Sequence, residues 1–305
     1  YDGASHGNDR AVDVAVDRWG NVTVCGYTDT SLGRRMLVIS YSSSGGVRWI
    51  RRRFETLGAR SAATALCVDG TGTVYVTGQR WSDDSTRAVT VKYSRSGDFK
   101  WSRYVDGEGY DAVFADDVVR CPSGGVYVAG GIGRDSTGLD PLIVRYTAAG
   151  EPTLFSNGAE ITDWGRHKAV AVASDGSVIA GGDQIVGIGG CPQATLYAAT
   201  GAQSAYWLWP ECECGWDPAI YDVAADKSGH VYWAGGVMPL GGDMMPLVDC
   251  RSVNGGGGEW TGAWTAGGSF VKATECVVSG TTLYVAGVHD RGAQGTNLFV
   301  LKYTP

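Results

Sequence analysis

Asp13, Asp117 and Asp222 each sit the same number of residues before a glycine that ends a recurring segment. Carboxylates gathered from alternate repeats could form an acidic ring suited to a hard cation and its waters. The preferred reading is plainer: each carboxylate accepts hydrogen bonds from neighbouring backbone N–H groups. On that reading no cofactor is required, and a cation at the mouth of a central channel is the only ligand these acids suggest.

Other reactive residues are sparse. The four histidines, His6, His167, His230 and His289, show no H-x-H or H-E-x-x-H spacing, so no metal site is expected from them. None of the eight cysteines forms a C-x-x-C pair, and an even count without metal or redox spacing leans towards an oxidising compartment. Cys212 and Cys214 are too close in sequence to bridge each other without strain. A disulfide from Cys191 to Cys212 or Cys214 is therefore the expected pairing, with reduced thiols as the alternative. There is no G-x-S-x-G turn, and the glycine runs at 187–190 and 255–258 read as turns. No catalytic residues are assigned, and the chain is expected not to be an enzyme.

The elements that must position these residues come from a repeat. Val22-Thr23-Val24-Cys25-Gly26 recurs as Val74-Tyr75-Val76-Thr77-Gly78 and Val126-Tyr127-Val128-Ala129-Gly130, and again as segments ending at Gly182, Gly235 and Gly287. The closing glycines keep a phase of 52 or 53 residues through six copies. Before each copy lies a second apolar run, joined to it by turns such as Asp69-Gly70-Thr71-Gly72, which is hairpin chemistry. A third run ends at Tyr41, Tyr93, Tyr146 and Tyr303, and a fourth carries Trp49, Trp101 and Trp260. Four short strands per repeat make the blade of a β-propeller. The fold expected is all-β, a single propeller over 1–305 with six blades, at 4–54, 55–106, 107–158, 159–211, 212–264 and 265–305. The last blade should lack most of its outer strand, with Tyr1 near Pro305; a seventh blade outside the chain is the alternative count.

These segments resemble the SBBP repeat family of bacterial propellers, whose repeat runs approximately D-x-A-x-x-I-A-V-D-x-x-G-N-V-Y-V-T-G, then K-Y, S-G and a Trp strand. The likeness is closest over 9–26 and 68–78, with Lys92-Tyr93, Ser96-Gly97, Trp101 and Arg145-Tyr146. Departures are Ala198 and Cys250 at the Tyr position and Leu154 at the Trp position. The resemblance implies an extracellular or cell-envelope setting and repeat-bearing surface proteins. It carries no catalytic residues.

Composition narrows the partners. The chain of 305 residues is 44% hydrophobic and 19% charged, with a formal net charge of -7, so it should bury a core and offers no nucleic-acid footprint. No apolar run is long enough to insert in a bilayer as a helix. The sequence starts at Tyr1 without a leader, as a mature or excised part of a longer product would. Propeller function is expected on loops of one face, here residues 28–35, 79–87, 131–140, 183–193, 236–246 and 288–297. Trp81, Met238, Met244 and Met245 stand out there as a site for a protein partner, or as side chains folded back over the blades. The leading expectation is an extracellular interaction or scaffold module binding a protein through this face. A glycan-binding propeller and a metal-assisted enzyme with its site in the central funnel are the rivals.

Overall fold

A computed structural model describes residues 1–3, 6–53, 60–82, 85–105, 112–134, 138–156, 165–186, 189–208, 219–237, 244–253, 260–263, 270–290 and 295–303. Among the described residues every regular element is a strand, and no helix is long and apolar enough to cross a membrane. Two compact units divide the chain, Tyr1–Leu139 with Ile143–Leu154, and Asp140–Leu142 with Phe155–Pro305.

In the first unit, β1 (Asp9–Val16), β2 (Val22–Thr30), β3 (Gly33–Tyr41) and β4 (Val47–Arg53) form an antiparallel sheet in chain order. The second repeat supplies β5 (Arg60–Val68), β6 (Val74–Trp81), β7 (Thr86–Tyr93) and β8 (Phe99–Tyr104), and the third β9 (Ala112–Arg120), β10 (Val126–Arg134), β11 (Gly138–Tyr146) and β12 (Pro152–Ser156). A parallel pairing of Thr86 with Ala112 joins these two blades into one sheet. The second unit repeats the plan with β13 (Gly165–Val172), β14 (Val178–Val186), β15 (Gly189–Tyr197) and β16 (Gln203–Leu208), then β17 (Ala219–Ala225), β18 (His230–Val237), β19 (Met245–Ser252) and β20 (Trp260–Ala263). Its last sheet, β21 (Phe270–Ser279), β22 (Thr282–Asp290) and β23 (Thr296–Tyr303), has three strands, so no outer strand completes it among the described residues. The expected approach of Pro305 to Tyr1 lies outside the described residues.

The core lies between consecutive blades rather than inside one sheet. Cys25, Met36, Val38 and Trp49 of the first blade pack on Leu66, Val76, Val91 and Tyr93 of the second, and all are buried. In the second unit Ile179 and Leu196 meet Val223 and Trp233, and Ala234 and Val248 meet Ala273 and Val285. Both faces of a blade must therefore be apolar, which explains strands that are runs of Val, Ala and Tyr.

Each inner strand carries a β-bulge at one place, where the register slips opposite the closing glycine: Gly26 faces Ala11 and Cys25 faces Asp13. The same slip sets Gly78 against Ala63 and Gly235 against Ile220. A Cβ on Gly78 would overlap the Ala62 carbonyl oxygen and lie 2.8 Å from the Ala63 Cα. The repeated glycine is thus dictated by the bulge that approaches it.

Two positions differ from the sequence alignment. Val178 pairs with Tyr197 as Val74 pairs with Tyr93, so Tyr197, not Ala198, occupies the tyrosine position of the fourth repeat. In the fifth, Val231 pairs with Arg251, which takes that position in place of Cys250. The span from the paired valine to this position differs by one residue between the two repeats, 178 to 197 against 231 to 251, and counting from the glycine slips by the same amount.

The hairpin turns are closed by their aspartates. Asp69 Oδ1 accepts from the Thr71 and Thr73 N–H groups at 2.8 and 3.0 Å, while Gly72 takes a φ of 81°. Burial opposes its charged form, yet the bonds from Thr71 and Thr73 outweigh it and hold the carboxyl below its ordinary value. Asp17, bonded by Asn21 and Trp19, and Asp226, bonded by His230, Tyr232 and Ser228, are lowered in the same way against burial. A pKa lowered by folding contributes stability that is present above the unfolded carboxylate value, about 3.9, and lost as pH falls through the folded value. The thermal midpoint should accordingly drop on acidification in that window, and Asp69→Asn combined with Asp226→Asn should lower the neutral midpoint and flatten the acid limb. An acid limb of unchanged slope in the double variant would exclude the turn acids as its source.

Candidate functional site

The acids on the inner strands prove to be parts of the scaffold. Asp13 accepts from its neighbour Val14 N–H at 2.6 Å and, across the blade boundary, from Leu66 N–H at 2.7 Å. Asp222 does the same with Val223 at 2.8 Å and with Cys276 of the next blade at 2.6 Å. Asp117 accepts from Val118 N–H at 2.7 Å. Each carboxylate follows the bulge and caps its own strand, and those of Asp13 and Asp222 also staple the next one. Burial pushes the Asp13 carboxyl up, against the two N–H bonds that favour its charge.

In the last blade the equivalent position is Glu275, which faces Ala286 after the bulge, and Thr274 is the bulged residue. Counting back from Gly287 misses it because the hairpin there turns between Ser279 and Thr282, tighter than the turn between Val16 and Val22. Cys276 accordingly matches Leu66 rather than Cys67. Among the described residues no three His, Cys, Asp or Glu side chains are grouped so as to hold a metal ion.

His167, fully buried, lies 3.0 Å from the Tyr197 hydroxyl and 3.3 Å from the Gln193 amide, and burial pushes its pKa down to about 3. It is a neutral core group. His6 lies 2.7 Å from Asp2 at the surface, and His230 2.8 Å from Asp226 in a turn.

Cys191 lies on β15 opposite Gln184, buried, and not in a loop. Cys212 and Cys214 lie outside the described residues, and among the described residues no disulfide is present. Met238 also lies outside them. Met244 is 2% exposed and its carbonyl accepts from Val271 N–H at 3.1 Å, while Met245 is half-buried at the start of β19.

Trp81, at the end of β6, lines a cleft of about 600 Å³ with Asp29, Thr30, Gly33, Arg34 and Arg60. Two strand pairs build it. On the β2–β3 hairpin, Asp29 and Arg34 face each other in register, and the guanidinium binds both carboxylate oxygens, Nε–Oδ1 at 3.0 Å and Nη2–Oδ2 at 3.4 Å. The same guanidinium lies 3.8 Å from the centre of the Tyr27 ring. Pairing with Asp29 raises the Arg34 pKa, so its charge is permanent. Thr30 Oγ1 donates to Gly33 O at 2.8 Å and closes the hairpin, with Gly33 at a φ of 101°.

On the neighbouring blade, Arg60 and Trp81 are direct cross-strand partners and so stand on the same side of the sheet. Arg60 is exposed and Trp81 half-buried. A Cβ on Gly33 would lie 3.7 Å from Arg60 Cγ, which measures how closely the hairpin approaches the second blade. The cleft thus combines one aromatic plate, a rigid Asp–Arg pair and an arginine in contact with solvent. That is the lining of a site for a polar ligand with a flat apolar face.

Of these residues only Trp81 was singled out by sequence. Asp29 and Arg34 fall inside the loop-face segment 28–35, and their opposite charges flanking a hairpin tip were the signal available. Arg60 lies in the link between repeats and becomes legible only once β5 and β6 are paired.

No protein-family model matches the sequence, and no curated protein resembles it. Solved structures do share its fold. The polysaccharide lyase Uly1 is similar with a TM-score of 0.61 at 11% identity, over 95% of this chain and 76% of that one. A polysaccharide lyase of family PL25, an ulvan lyase, gives 0.56 at 9% identity over 98% and 86%. The Hadza microbial sialidase Hz136 gives 0.57 at 8% over 98% and 66%. The expectation that the chain is not an enzyme, drawn from the absence of catalytic motifs, is overturned by these structures, since its fold is one that lyases and a sialidase share.

Proposed function

We propose that the chain binds a carbohydrate in the cleft between its first two blades, with Trp81 as the plate against which a sugar ring stacks. The C–H face of a pyranose is apolar and weakly positive, and the indole face is large, rigid and negative. Asp29 and Arg34, locked together, offer carboxylate acceptors and guanidinium donors at the edge of the ring for its hydroxyls. The observation that carries the reading is the half-buried Trp81 beside that fixed pair. The glycan-active proteins of the same fold support it. The expected protein-partner site drew on Trp81, Met238, Met244 and Met245, and the burial of Met244 withdraws one member of that set. An extracellular or cell-envelope setting, which the repeat resemblance implies, is where such a module would meet polymeric glycans.

A glycan array followed by calorimetry on the whole chain tests this. Trp81→Ala should weaken binding of the best array ligand by about five- to 150-fold, because stacking on an aromatic is worth about 1–3 kcal/mol. Because Trp81 is partly buried, the variant's circular dichroism and unfolding midpoint are read alongside, so that lost binding is scored on folded protein alone. Equal affinity of variant and wild type would place the glycan elsewhere and overturn the assignment. The same solutions, assayed for new chain ends, read turnover.

A further inference from the structure

We infer that the cleft selects glycans bearing an anionic substituent, a carboxylate or a sulfate, which Arg60 holds while the ring stacks on Trp81; this rests on the glycan reading above. Arg34 is committed on two sides, to Asp29 through both carboxylate oxygens and to the Tyr27 ring. Arg60 is different. Among the described residues no carboxylate is paired with it, it is exposed, and as the cross-strand partner of Trp81 it stands beside the plate rather than across the sheet from it.

Among the described residues of the lining two guanidiniums stand against one carboxylate, a local positive excess on a chain whose formal charge is -7. A neutral sugar needs no such local reversal of sign. An oxyanion on a stacked ring would meet a planar fork of donors, the geometry that arginine supplies and lysine does not.

The test is calorimetric titration of the full chain with an oligogalacturonate, its methyl ester, a sulfated neutral oligosaccharide, its desulfated parent and a polyglutamate peptide. The charged member of one pair should bind about tenfold tighter than its neutral parent, the usual size of one charge-assisted hydrogen bond. Which pair shows the difference identifies carboxylate or sulfate. Arg60→Gln should abolish the difference between charged and neutral members, and Arg60→Lys should restore part of it. Discrimination should also shrink with added salt. Charged and neutral members binding alike, or discrimination surviving in Arg60→Gln, would overturn the inference while the stacking site stands. Polyglutamate binding as tightly as the acidic sugars through Arg60 would overturn both, as would silence from every probe.

Discussion

Gly78→Ala is expected to destabilise the chain by about 4 kcal/mol or more, the range reserved for substitutions whose clash has no outlet. The backbone at Gly78 is ordinary extended strand; what forbids a side chain is the bulge opposite, whose Ala62 carbonyl occupies the place a Cβ would take. Backbone packed between two blades cannot give way as the end of a flexible side chain can. Gly45 is the contrasting case. Its φ is 87° but nothing lies within 4 Å of a Cβ there, so Gly45→Ala should cost only about 1 kcal/mol, the strain of the left-handed region. Chemical denaturation of both variants separates the two reasons for a glycine. A Gly78→Ala midpoint as mild as that of Gly45→Ala would show that the bulge relaxes, and the account of the repeated glycine would fail.

This contrast explains how much of the molecule was legible. The closing glycines and the turn aspartates are fixed by backbone geometry within one repeat, and the tyrosine and tryptophan positions by a contact that recurs between neighbouring blades, so identity at fixed spacing reveals them. The hairpins at 17–21 and 69–73 close as read, with Asp17 N–H donating to Asn21 O and Asp69 N–H to Thr73 O, both at 2.9 Å. Counting breaks down where a turn changes length, which is why the spacing that places Asp13 before Gly26 falls on Thr274 and not Glu275 before Gly287, and why Ala198 was read for Tyr197. The cleft was the least legible part, since Arg34 and Arg60 line it from two different blades and neither has a counterpart in the repeat pattern to mark it. Architecture is periodic in this chain; the candidate site is an exception to the period, and only pairing geometry brings its members together.

The tryptophan of the fourth strand yields the other large expected effect. Trp101, 7% exposed, lies on the next blade: its ring centre is 5.8 Å from that of Tyr146, its Nε1–H donates to Ala148 O at 3.2 Å, and Gly150 sits beneath it. Arg103 adds a bond from Nε to Gly150 O at 2.8 Å. One repeat earlier Trp49 meets Tyr93 at 5.9 Å, donates to Arg95 O at 3.1 Å and covers Gly97, with Arg51 bonding Gly97 O at 2.7 Å. The tyrosine, the glycine and the tryptophan of the repeat are therefore one device spread over two blades. Trp101→Ala should cost about 3–5 kcal/mol, since it empties a buried aromatic site that backbone on both sides cannot collapse to fill. Trp101→Phe should cost far less, about 1 kcal/mol for the lost hydrogen bond plus a small cavity. Gly150→Ala should be severe as well, because a Cβ there would come within 2.9 Å of the Trp101 ring at a φ of 87°. If the contact is a single device, the double variant Trp101→Ala with Gly150→Ala will lose markedly less than the two single losses combined. Additive losses would mean that tryptophan and glycine act separately, and the repeat's fourth strand would need another reason for its tryptophan.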